Sequence, residues 1–590
     1  MTERTRHLVA ALTGLGLGLA ALGPGLAPGF VLSYDMVFVP DPAFTAMTFG
    51  LTGTVPRHVP SDAFATALAS VVPADAAQKL VLLAIFVMAC TAAASLVPSR
   101  RMPPRLAAGV CYAWNPFVAE RLLLGQWALL LGYAALPWVV AAAARTAEPG
   151  GTRRLVRTLL PAAVGGFAAL TVTGITALTV ALTTARWRRR PPPGPGERPV
   201  PARPGGSAPL AAAARVAAAV GVLSLPWLVP GVLRPAGLPA DGEAVGLFAA
   251  RADTPFGTLG SLLLLGGVWN GETVPDGYGA PVTATIWLLV VVVALAAYRR
   301  WGRGPVWWRG AAVAAAAGFA VAALGAVAAP VLEGLVGLWP GFAVLRDGQQ
   351  YAAPLAVVVA VGLGAAAERA AEARWPGVAA AAMAVPVFLL PTLAWGAAGE
   401  LRAVHYPDDW ARARQIIDRD PAPGDVLVLP WASYRSYPWN HGRRVLDPLP
   451  RYLHGRHVIA DDAVTVDGTT VPPEDPRAVR LAPAAKNGAP AAATLRDAGV
   501  RYVVVDAETG AVRPSGPATE VLHGADLAVY RIDGAAEVPG ERVPAAPVAA
   551  AWGIMSLVVF WSILGARITL SLPLLGSIKA RSPHHRRRIP

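Results

Sequence analysis

Two cysteines, Cys90 and Cys111, are all that this 590-residue chain contains, and both lie inside apolar runs. No disulfide framework and no zinc spacing can be built from them. Charge is scarce too: 15% of the residues are charged, where a soluble domain carries roughly a quarter. A large soluble globular protein is thereby excluded. Lysine supplies three of the 51 basic residues (Lys79, Lys486 and Lys579), and with the abundant Ala, Gly and Pro this reads as the coding bias of a GC-rich genome. A Walker loop, a zinc signature, a G-x-S-x-G elbow and a dinucleotide fingerprint are all missing in any fitting context. The Gly-rich stretches are apolar helices instead.

What is present is apolar length. Hydrophobic residues make up 54% of the chain and the mean hydropathy is +0.47. They cluster in runs of about 17–25 residues, the length that crosses roughly 30 Å of hydrocarbon. The expected fold is a polytopic α-helical membrane protein of about twelve spans with a C-terminal extracytoplasmic α/β domain. The basic, uncleaved N-terminal run at 7–32 is the first span, and a loop at 33–78 follows it outside. Further spans are expected at 79–97, 106–118 and 127–144, then two short helices flanking Thr173-Gly174 within 155–184. A Pro/Arg-rich cytoplasmic linker covers 186–208. Spans continue at 210–232, 283–298, 311–329, 352–367 and 378–395, with an external loop at 233–282. In that loop "LGSLLLLGGVW" is too short to span and should lie at the interface or re-enter.

Within 398–545 the apolar runs shorten to strand length, as in "DVLVLP" and "RYVVVD", which marks a separate α/β domain after the helical module at 1–397. A last span at 546–567 leads to a basic cytoplasmic tail at 568–590. Residues 398–545 hold 20 acidic and 17 basic side chains, so the overall charge of +14 comes from arginines in short loops between apolar runs. That asymmetry puts both termini in the cytoplasm of a multi-pass plasma-membrane protein and argues against a nucleic-acid partner.

Four polar patches and the α/β domain then share the outer side. Asp35, in "SYDMVFVPDPAFT", is placed to act as general base on an acceptor hydroxyl; otherwise it is a solvated loop carboxylate. In "NPFVAERLLLGQ", Asn115-Pro116 ends a helix and Glu120-Arg121 occupies the outward turn, near Gln126. Arg121 either snorkels to headgroups or grips a lipid-linked phosphate, whose oxygens its planar fork matches. Arg346 and Asp347, with Gln349 and Gln350 beside them, carry the same alternatives: a local ion pair or a second phosphate ligand. The patch "DTPFGTLGSLLLLGGVWNGETVPDGYG" completes the set. In the domain, Trp431, Tyr434, Tyr437, Trp439 and Tyr452 alternate with His and Arg. Their rings could stack on sugars, or form an interfacial belt or ordinary core.

These segments resemble the GT-C superfamily of membrane glycosyltransferases. "AWNPFVAERLLLGQWALLLGYAALPW", "VLRDGQQYAAPLAVVVAVGLG", "DVLVLPWASYRSYPWN" and "LRDAGVRYVVVD" are similar to parts of large actinobacterial membrane proteins, a group that includes arabinofuranosyltransferases. The resemblance implies a sugar moved from a polyprenyl-phosphate donor to a cell-envelope glycan among membrane lipids. It maps the catalytic carboxylate onto Asp35, with Asp41 as the second candidate, and it allows a divalent cation although no metal ligands are assigned. The paired acidic motif common in that superfamily is missing, because the two aspartates stand six residues apart. A transporter or flippase, and a non-catalytic cell-wall scaffold, are the alternative functions.

Overall fold

The computed structural model describes residues 1–187, 207–235, 244–466, 469–471, 473–486, 489–507, 513–538, 540 and 542–564. Nearly all of the expected linker and the whole tail at 568–590 lie outside the described residues. Among the described residues, eight helices are long and apolar enough to cross a bilayer. They are Glu3–Leu26, Ala74–Leu96, Gly166–Ala185, Pro209–Val232, Pro281–Trp301, Trp308–Val327, Gly348–Glu372 and Ala545–Leu564. Pro376–Leu389 and Pro391–Gly399, bent by 63° at the break between them, make a ninth if taken together.

Eight or nine falls short of twelve, and the reasons are local. The apolar run at 106–118 folds as Met102–Ala113, which at 1.5 Å per residue reaches only about 18 Å and cannot cross. Asn115 stops it and starts a separate short helix, Pro116–Leu123, by accepting the Val118 N–H. Trp127–Ala143 is an almost wholly buried 17-residue helix, apolar because neighbouring helices surround it. The apolar pattern around Thr173-Gly174 suggests a break there, yet the chain turns at Gly165-Gly166, where Gly166 takes a φ of +69°. Gly166–Trp187 runs unbroken through Gly174. A Cβ at Gly174 would stand 3.0 Å from Val220, so this glycine lets Ser207–Val232 pack close. The run "LGSLLLLGGVW" forms only a seven-residue helix, Gly257–Leu263, followed by loop.

The α/β domain is a three-layer structure. Its five strands lie in the order Thr519–His523, Leu527–Arg531, Val500–Asp506, Asp425–Leu429, Val458–Ile459. The first two pairings are antiparallel and the last two parallel. Alternation along the strands sorts the side chains. Val426, Val428, Tyr502 and Val504 face Trp410, Ala413 and Ile417 of the helix Asp408–Arg419. Leu427, Leu429, Val503 and Val505 face Ala478, Leu481 and Leu495 of the helices on the other side. All seven residues of Val500–Asp506 are buried, as expected of a strand covered on both faces.

This domain is stitched to one end of the helical bundle rather than tethered to it. Phe30–Val31 pairs antiparallel with Ala403–Val404. Arg451 meets Asp62 at 3.0 Å, Arg443 meets Glu400 at 2.7 Å, and Arg57 pairs with Glu474. The site described next lies at this junction.

Candidate functional site

Asp35 is held by three separate parts of the chain. Tyr34 takes a φ of +44° and joins the edge of a β-hairpin in the α/β domain, donating its N–H to Arg444 O and accepting from Leu446 N–H. The Asp35 N–H donates to Leu124 O at 3.1 Å, just past the Pro116–Leu123 helix. Ser33 Oγ donates to Leu123 O at 2.5 Å and accepts from Arg443 Nε at 3.0 Å. The loop lies so tightly over Gly125 that a Cβ there would fall on the Ser33 carbonyl and the Met36 amide, and Gly125 has a φ of +76°. A Gly125→Ala protein should therefore displace the Asp35 loop. The expected result is faster proteolysis within 31–36 and a lowered thermal transition, with a cost of about 1–3 kcal/mol for the strained backbone.

The Asp35 carboxylate accepts the Tyr434 hydroxyl at 2.6 Å. Burial pushes this carboxyl above its ordinary range, the Tyr434 hydrogen bond pulls it back, and the charge on Asp347 pushes it up again. Arg57 and Arg451 pull it down from the other side. Asp347 itself accepts the amide groups of Gln349 and Gln350. Burial raises it as well, while Arg121, Gln350, Gln126 and Arg346 favour its ionised form. Asp347 is thus near enough for its charge to act on Asp35, although the two stand more than 300 residues apart in the chain.

Arg121 is buried near Asp347, 1% exposed. Its guanidinium stacks over Phe117 at 4.8 Å, and Nε and Nη1 have no hydrogen-bond partner among the described residues. Glu120 Oε2 stands 3.7 Å from Nη1, beyond hydrogen-bonding range. The turn expected at the membrane surface is instead the buried helix Pro116–Leu123, so Arg121 does not snorkel to headgroups; it lies close enough to Asp347 to favour its ionised form. Arg346 stacks on Phe248 at 4.9 Å and is close enough to Asp347 to act on its titration.

Several other candidates take different parts. Asp41 is on the surface, its side chain 81% exposed, and meets Arg414 at 3.2 Å; the carboxylate that faces Asp35 is Asp347. Asn115 is a structural cap, its amide donating to Cys111 O, Tyr112 O and Tyr133 Oη, each at 2.9 Å. Of the ring candidates, Tyr437 is buried, stacks on Trp439 at 4.9 Å and donates to Asp447 at 3.2 Å. Trp439 packs against Trp410 and Tyr406, and Trp431 against the sheet. Tyr437 and Trp439 thus belong to the packing between domain and bundle, continued by Tyr406, whose hydroxyl donates to Phe38 O, while Trp431 and Trp439 are half-buried. Of these rings Tyr434 bonds Asp35.

Sequence reasoning passed over Asp253, Tyr278, Arg57 and Arg451. Asp253 and Tyr278 sit in the stretch "DTPFGTLGSLLLLGGVWNGETVPDGYG", but nothing in their local pattern separates them from loop residues. Arg57 and Arg451 are ordinary arginines until the fold brings loop and domain together. Among the described residues no three His, Cys, Asp or Glu side chains gather where they could hold one metal ion.

Fold and site together define a polytopic helical membrane protein whose α/β domain packs on one end of the bundle, with Asp35 and the buried Arg121 near that junction. No family model and no curated protein matches the chain. Among solved structures it is similar to the oligosaccharyltransferase of Archaeoglobus fulgidus, with 13% identity, 85% of this chain and 68% of that chain covered, and a TM-score of 0.38.

Proposed function

We propose that this protein is a membrane glycosyltransferase of the GT-C kind that moves a sugar from a polyprenyl-phosphate donor to a cell-envelope glycan on the outer face. The observation that supports it is Asp35 held by Tyr434 at the junction of bundle and domain, within reach of the charge on Asp347, on which the buried Arg121 acts in turn. Asp35, raised by burial yet held ionisable by Tyr434 and two arginines, is suited to take a proton from an acceptor hydroxyl. Arg121, with two unpartnered nitrogens, offers its fork to the donor's phosphate. Asp347 and the glutamines beside it orient that fork. A donor anchored in lipid fits a cleft set at the end of the helices, where no nucleotide sugar need be reached. Transport is disfavoured because the candidate spans carry few ionisable groups along their apolar length, whereas transport pathways are lined by them.

The test uses proteoliposomes carrying a radiolabelled polyprenyl-phosphate sugar and an envelope glycan extract. Release of polyprenyl phosphate with label in the glycan is expected, and Arg121→Gln should raise the KM for donor by at least tenfold, about 1.4 kcal/mol of lost phosphate binding. Label crossing the membrane intact, without transfer, would replace this reading with transport.

A further inference from the structure

Beneath Arg121 lies an acidic group that the reaction just described does not use. Glu120 is fully buried, and its carboxyl group faces Asp253 and the Val268 N–H without a close bond to either. One point, where a Cβ on Gly266 would stand, lies 2.5 Å from Asp253 Oδ2, 2.7 Å from Tyr278 Oη and 2.9 Å from Glu120 Oε1. Gly266 thus leaves room for two carboxyl groups and a phenol to converge. Asp253 Oδ2 also accepts the Gly267 N–H, and Oδ1 has no partner among the described residues. The Tyr278 hydroxyl is directed to Leu264 O at 3.3 Å. The nearby Glu272 is turned away, engaged with Tyr34 and Arg444.

Glu120 is turned from Arg121 toward Asp253. The two residues are adjacent on one helix, where neighbouring side chains do not face each other, and their closest charged atoms stand at 3.7 Å. Two buried carboxyl groups that converge on one point share a proton more readily than both ionise. Burial and the Asp253 charge push Glu120 well above the ordinary carboxylate range, against the pull of Arg121 and the Val268 N–H.

We propose that Glu120 is a protonated positioning residue that donates its proton to Asp253 and thereby leaves the Arg121 guanidinium available to an anionic ligand entering the cleft. When Glu120 loses that proton to solvent, its carboxylate takes Arg121 as its ion partner and the anion site closes. Anion affinity is then coupled to one proton. The groups facing this centre are Arg121 on the same helix, Asp253 and Tyr278 from the external loop, and Asp347 across the guanidinium. This inference rests on the reading of Arg121 as the phosphate ligand and adds a condition to it.

The experiment is binding of farnesyl phosphate to the detergent-solubilised full chain, followed by calorimetry from neutral to alkaline pH in wild type and Glu120→Gln. A glutamine keeps the shape and neutrality of the protonated acid. The wild-type affinity should fall by about tenfold per pH unit once Glu120 ionises, the slope of a one-proton linkage, while Glu120→Gln should bind with the neutral-pH affinity throughout. Loss of binding in Glu120→Gln, or the same slope in both proteins, overturns the proposal. If wild type binds no farnesyl phosphate at any pH, the phosphate reading of Arg121 fails on its own. Infrared difference spectra then decide on Glu120. A protonated-carboxyl band at neutral pH that vanishes in Glu120→Gln sustains the neutral acid, and an unchanged band region overturns it.

Discussion

Asp35→Asn is expected to fold, reach the membrane and lose sugar transfer by about 10²–10⁴-fold, the contribution of a positioned general base. The substitution is nearly isosteric, and the amide oxygen can still accept the Tyr434 hydroxyl that now ends on the carboxylate at 2.6 Å. The backbone bonds that hold the loop, from Tyr34 and Asp35 to Arg444 O and Leu124 O, do not involve the side chain. Donor binding at Arg121 should therefore survive while kcat falls, a split that a general loss of structure does not produce. Asp41→Asn is the matched control. Its carboxylate is on the surface with Arg414, and transfer should stay within about twofold of wild type, since an exposed ion pair contributes little.

Tyr434→Phe should move the pH range of the proposed transfer rather than abolish it. Burial drives the Asp35 carboxyl to hold its proton, and the Tyr434 hydroxyl opposes this by donating to the ionised form. Removing the hydroxyl leaves burial and the Asp347 charge opposed only by Arg57 and Arg451, so Asp35 stays protonated to higher pH. A hydrogen bond to a charged group contributes about 1.5–3 kcal/mol, and each pH unit corresponds to about 1.4 kcal/mol. The acid limb of kcat/KM should move up by about one to two pH units, with activity recovered on the alkaline side. An acid limb left where it was, with a uniformly lower plateau, would mean that Tyr434 only supports the loop.

Much of the architecture was legible because its causes are local. Strand-length runs such as "RYVVVD" in a region of balanced charge announce a sheet, and the structure buries every residue of Val500–Asp506. Apolar runs of full length became spans at 281–301 and 308–327. The span count failed where composition cannot tell lipid from protein: Trp127–Ala143 is as apolar as a spanning helix yet is buried by its neighbours. Thr173-Gly174 misled for the same reason, since its glycine serves a contact with Val220 that is invisible along the chain. In the site, Asp35 and Arg121 could be singled out because each is a charge at the edge of an apolar run. Their meeting with Asp347 depends on long-range folding. The aromatic series around Trp439 shows the limit plainly, because rings that stack on sugars and rings that fill a core have the same composition. Only the position of Trp410 and Tyr406 between them decides for core.

In the proposed reaction a lipid-linked phosphate binds Arg121 below the Asp35 loop. The most direct measurement is a single-particle structure of the full chain with farnesyl phosphate bound at neutral pH. The account predicts phosphate density on Arg121 Nε and Nη1, beside Asp347, with the isoprenyl chain leaving between helices and Asp35 open to the space above the phosphate. Phosphate density at the opposite end of the bundle, with Arg121 still stacked on Phe117 and untouched, would contradict it.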